Sequence, residues 1–121
     1  MTRHVDGELL TVMDDGGTVV LKVRETMGED GSMVFAVGGG IRGEAAPEFE
    51  DELLTALTCA PFVEVDFGAL EHISAPGLQA LLSAQRLMDE GRCRFALTHL
   101  GDAVRETFEK TGFIDLIEIR E

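Results

Sequence analysis

Between Phe62 and Glu90 the apolar residues change their period once, from two to about 3.6, and this change restricts the chain to a layered α/β design. In Phe62-Val63-Glu64-Val65-Asp66-Phe67 the odd members Val63, Val65 and Phe67 point one way and Glu64 and Asp66 the other, as in a strand covered on one face. From about residue 76 to 90, Leu78, Leu81, Leu82, Leu87 and Met88 make a broad apolar side, which reads as a helix with Gly91 at its exit. Cys93, Phe95 and Leu97 then alternate again. A strand, a helix and a second strand in this order favour a crossover that lays the two strands parallel in one sheet.

The flanking segments extend the same design. Val19 to Arg24 and Met33 to Val37 are strands separated by the turn-rich residues 26–31, so a hairpin is predicted. A Gly-rich bend at 38–43 leads to a helix over 47–57, where Phe49, Leu53, Ala56 and Leu57 recur at helical spacing and Pro47 opens the first turn. Asp102 is expected to cap a third helix at 103–111, closed by Gly112, and 116–119 to form a last strand. Leu9 to Met13 reads either as an extra edge strand or as a short helical turn. The predicted fold class is α/β, a small mixed, largely parallel sheet with three packed helices. Residues 1–18 are an N-terminal extension and 19–121 the domain; the expected core includes Val65, Leu81, Leu82, Phe95, Leu97 and Phe108.

With 121 residues there is room for one domain. The formal charge of -13 repels phosphates and anionic membranes and argues against direct nucleic-acid binding. Gly38-Gly39-Gly40-Ile41-Arg42-Gly43 satisfies G-x-G-x-x-G, with Glu64 and Asp66 near the offset of a ribose-binding acid. A pyrophosphate there would meet Glu44, Glu48, Glu50, Asp51 and Glu52 with only Arg42 to oppose them, so the stretch reads as a bend instead. No P-loop and no G-x-S-x-G elbow occurs. His4, His72 and His99 lack the short spacings of a metal site, and His72 reads as a residue at a strand end rather than a general base. No catalytic, metal or cofactor-binding residues are assigned. Cys59 and Cys93 read as buried thiols of a reducing compartment, and with no long apolar run a cytoplasmic protein without membrane insertion is expected. The acids crowded between Glu44 and Glu71 read as a solvated face or a docking surface for a basic partner.

The run from Val65 to Leu82, VDFGALEHISAPGLQALL, resembles the signature of the STAS family, in which a strand ends at an acidic residue, crosses a Ser-rich loop ending in Gly-Leu and enters a Leu-rich helix. Gly39-Gly40-Ile41 through Pro47-Glu48-Phe49-Glu50 is similar to the family's first bend and helix, and Val104 to Phe113 to its third helix and exit, so the resemblance spans roughly 19–120. It implies a non-enzymatic adaptor of the anti-sigma factor antagonist type. The partner would be a GHKL-type serine kinase that is also an anti-sigma factor, bound through the loop His72, Ser74, Ala75, Pro76, Gly77 and Leu78. The alternatives within the family are a STAS subunit acting on the ATPase of an ABC-type lipid transporter and another signalling scaffold. In the family's antagonists the serine immediately before the glycine is phosphorylated. Pro76 stands at that position here, preceded by Ala75, and Ser74 is the remaining phosphosite candidate in the loop, where a helix cap is its expected role. From the residues alone, Gly77 is expected to let another surface approach closely.

Overall fold

A computed structural model describes residues 2–120. Seven strands, β1 (Thr2–Asp6), β2 (Leu9–Met13), β3 (Val19–Met27), β4 (Met33–Ile41), β5 (Val63–Ile73), β6 (Phe95–Thr98) and β7 (Ile119–Arg120), form one sheet in sequential order. β1 to β4 pair antiparallel and β4 to β7 pair parallel. Each parallel step is bridged by a helix: α1 (Ala45–Cys59), α2 (Ala75–Asp89) and α3 (Asp102–Thr111). The layers follow from the alternation of side chains along the strands. Leu21, Val23, Met33, Phe35, Val37, Val63, Val65 and Phe67 are buried beneath the helices, whereas their neighbours Lys22, Arg24 and Val34 are exposed and Glu64 and Asp66 half-buried. Phe49 of α1 joins the layers, its ring centroid 6.1 Å from that of Phe35 and 6.4 Å from that of Phe67. Of the expected core residues, Val65, Leu81, Phe95, Leu97 and Phe108 are fully buried; Leu82 lies on the flank of α2 and is half-buried.

The structure departs from the sequence reading at several places in the fold. Of the two readings of Leu9 to Met13 the strand is the one formed, and the departure is β1, a further strand outside it; all five β1 residues are exposed, so the segment shows no apolar alternation. Gly38, Gly39 and Gly40 belong to β4 and not to a bend: Gly39 has φ +91°, and a Cβ there would stand 2.5 Å from the carbonyl oxygen of Val20 on β3. The glycines thus serve strand-to-strand approach, and the turn is confined to 42–44. Gly101 takes the N-cap of α3 and Asp102 its first turn, where a carboxylate favours the helix dipole; Gly112 ends the helix at φ +80°. After Gly112 a 3-10 turn at Phe113–Asp115 holds Phe113 edge-on to Phe108 at 6.4 Å, and the last strand starts at Ile119 while Leu116 is exposed.

Candidate partner-binding site

The parallel strands β4 and β5 end side by side at Ile41 and Ile73, and the chain turns there into α1 and α2. Ser74 locks this junction. Its backbone N–H donates to the carbonyl oxygen of Ile41 at 2.9 Å and its hydroxyl donates to the same oxygen at 2.8 Å. It occupies the N-cap position of α2, and its backbone carbonyl accepts from the Leu78 N–H at 3.0 Å; its side chain, however, makes no capping bond. The hydroxyl therefore fastens the loop to the sheet instead of satisfying the helix.

Gly77 sets how deeply α2 can sit. A Cβ on it would lie 2.7 Å from Ile41 Cγ2 and 2.7 Å from Ile73 Cγ1. Gly77 and Leu78 are buried, so the close approach that glycine permits is to this chain's own strand ends. His72, Ala75 and Pro76 are exposed and Ser74 half-buried. Beside them lies a notch of about 440 Å³ between the first turns of α1 and α2, lined by Ala46, Pro47, Glu50, Ala75, Pro76 and Gln79. Glu50 and α2 are tied by the Ser83 hydroxyl, which donates to Glu50 Oε2 at 3.2 Å. Ala46, Pro47, Glu50 and Gln79 were not among the residues expected from sequence. Their signal was the Ala-Pro pair that begins both helices, Ala46-Pro47 and Ala75-Pro76, which the parallel crossovers bring face to face. Prolines in a first turn leave apolar rings and few donors, so the notch suits an apolar side chain bordered by one carboxylate.

The acidic residues between Glu44 and Glu71 do not form one surface. Glu48 and Glu52 on α1 both bind Arg3 of β1, Glu48 at 2.9 Å, whereas Glu64 and Asp66 stand on the face of the sheet away from the helices. There Thr98 donates to Glu64 at 2.9 Å, the Gly68 N–H donates to Asp66 at 2.8 Å, and His99 Nδ1 lies 3.2 Å from Asp66. Among the described residues the group of three metal-ligand types that draws together is Glu64, Asp66 and His99, within 4.8 Å of one another; His4, His72 and the cysteines take no part. Cys59 is exposed, contrary to the expectation of two buried thiols, because it ends α1; Cys93 is buried, and burial pushes its thiol pKa up while Arg92 pulls it down. Both are free thiols. No described helix is long and apolar enough to cross a membrane.

The family model for the Mlab, STAS domain matches residues 25–118. This chain belongs to the STAS domain family. The STAS chain is 28% identical over 91 residues to BtrV of Bordetella bronchiseptica, assigned as an anti-sigma factor antagonist, with 74% of this chain and 78% of that protein covered. Its fold matches an anti-sigma factor antagonist from Mycobacterium paratuberculosis with a TM-score of 0.71 at 20% identity, over 89% of each chain. It also matches the unphosphorylated form of the anti-sigma factor antagonist SpoIIAA, with a TM-score of 0.66 at 17% identity, over 82% of this chain and 88% of the other. The STAS chain is a non-enzymatic protein-binding adaptor, homologous to anti-sigma factor antagonists.

Proposed function

We propose that this STAS protein is an anti-sigma factor antagonist-like adaptor that binds a GHKL-type serine kinase/anti-sigma factor through the exposed part of the 72–78 loop and the adjoining notch. The observation that carries the reading is the junction of α1 and α2: His72, Ala75 and Pro76 stand exposed beside an apolar notch on a base made rigid by Ser74 and Gly77. Its relation to BtrV supports the partner class. Pro76 occupies the position of the family's phosphoacceptor and has no hydroxyl, so the adaptor stays competent for binding in the presence of ATP. Ser74 is a poor substitute, since its hydroxyl is held by Ile41 and a phosphate would place about 1.5 to 2 negative charges against that carbonyl.

The family resemblance also implies a second reading, a STAS subunit bound to the ATPase of an ABC-type lipid transporter. Titration calorimetry against a purified GHKL kinase and a purified transporter ATPase encoded beside this protein separates the two. Binding to the kinase, weakened by Ala75→Arg in the notch, is the expected result; binding to the ATPase alone supports the second reading. Incubating the kinase complex with ATP should leave intact mass and complex retention unchanged. A gain of about 80 Da at Ser74 with dissociation of the complex overturns constitutive binding.

A further inference from the structure

The sheet face turned away from the helices carries a second concavity, of about 380 Å³, lined by Leu9, Lys22, Arg24, Ala36, Gly38 and Ala69, with Gly68 and Asp66 at its far wall. That volume is in the range of small-molecule sites. Two rows of side chains cross it. Leu9, Arg24, Ala36 and Asp66 stand in register on β2 to β5, and Thr11, Lys22, Gly38 and Ala69 form the next row. In both rows the position on β4 is an alanine or a glycine, and the β4–β5 register shifts between Ala36 and Gly38, so the middle of the sheet is hollow where longer side chains would fill it. Leu9, Ala36 and Ala69 make this floor largely apolar.

The wall on β3 carries the charge. Lys22 and Arg24 point to the same side of one strand, both exposed, and neither has an ion pair among the described residues. In a chain with 23 acidic and 10 basic residues, two cations on one face of a strand without a carboxylate partner make this wall a local patch of positive charge. Asp66, which stands in Arg24's row at the far wall, accepts from the Gly68 N–H and lies 3.2 Å from His99 Nδ1, and among the described residues it pairs with neither Lys22 nor Arg24.

We infer that this groove binds a small anion with an apolar body, a carboxylate or a phosphate monoester on a short aliphatic stem. Lys22 and Arg24 hold the anionic head, and Leu9, Ala36 and Ala69 pack against the stem. The groove and the α1–α2 notch share no residue, so this inference stands or falls independently of the partner assignment.

The test is an NMR titration of the full chain with sodium octanoate and with octyl phosphate, with inorganic phosphate and octylammonium as comparisons. A saturable shift of the amides of Lys22, Arg24, Ala36 and Ala69 by one or both amphiphilic anions is expected, and which of the two binds tighter identifies the head group. Lys22→Gln/Arg24→Gln should weaken binding about tenfold or more. Ala69→Leu keeps both charges but fills the floor and should weaken it comparably; Ala69 is exposed, so the fold tolerates the change. The inference is overturned if neither amphiphile binds at millimolar concentration, if inorganic phosphate binds as tightly as octyl phosphate, or if octylammonium binds in their place. Amphiphile binding that survives both variants also overturns it.

Discussion

At Gly77 the helix leaves no room for a methyl group. An added Cβ meets Ile41 Cγ2 and Ile73 Cγ1 at 2.7 Å, and both atoms sit close to their backbones on paired strands, where little movement is available. Gly77→Ala should therefore cost about 1–2 kcal/mol in urea unfolding, with overpacking partly offset by the better helix propensity of alanine. Ser74 fails differently. Ser74→Ala forfeits one hydrogen bond to Ile41, about 1 kcal/mol, whereas Ser74→Asp also sets a carboxylate against that carbonyl and should melt lower than Ser74→Ala in a thermal scan. Both residues could be singled out from sequence, because a serine and a glycine around a helix start have known uses. Neither partner could be named, since Ile41 is 33 positions from Ser74 and meets it only through the β4–β5 pairing.

β1 is tied to the helix layer through one cationic side chain, while β2 is anchored by its pairing with β3 and by buried Leu10 and Val12. Arg3 of β1 reaches Glu48 and Glu52 on α1, and Glu25 on β3 stands beside Glu52. Burial, together with Glu52 beside it, pushes the Glu25 carboxyl pKa up to about 7, with Arg3 pulling the other way. A carboxyl whose folded pKa exceeds its unfolded value binds more protons in the native state. Its contribution to stability is fully present below the unfolded pKa of about 4.5 and disappears as the pH rises through about 7. The melting temperature of the wild type should thus fall between pH 5 and pH 8 more than that of Glu25→Gln, and Arg3→Ala should make the fall steeper; differential scanning calorimetry of the three proteins checks the order. This clamp was invisible in the sequence. β1 buries nothing, so hydrophobic patterning does not register it, and Arg3 is 45 and 49 residues from its two carboxylates.

Taken whole, the molecule has a net charge of -13 and carries acids both on α1 and, as Glu64 and Asp66, on the sheet face away from the helices. If the kinase-like partner is steered by the acids around the α1–α2 junction, its association rate should fall on going from low to half-molar salt while the dissociation rate changes little; stopped-flow measurements read both. The order of strands and helices in 19–120, the parallel crossovers and most of the core were legible in the chain, because a period of two or 3.6 is a local property and a helix between two strands restricts how they pair. The 72–78 loop was legible through its resemblance to the STAS signature. Which of its residues face outward was not: Gly77 and Leu78 turn in and Pro76 turns out because the helix is seated on Ile41 and Ile73. The other half of the notch comes from α1, 29 residues earlier at the matching proline, and only the packing of two helices on neighbouring strands puts Pro47 beside Pro76. The glycines of β4 were misread for the same reason, since what they accommodate, the Val20 carbonyl and the Ala69 side chain, arrives from other strands.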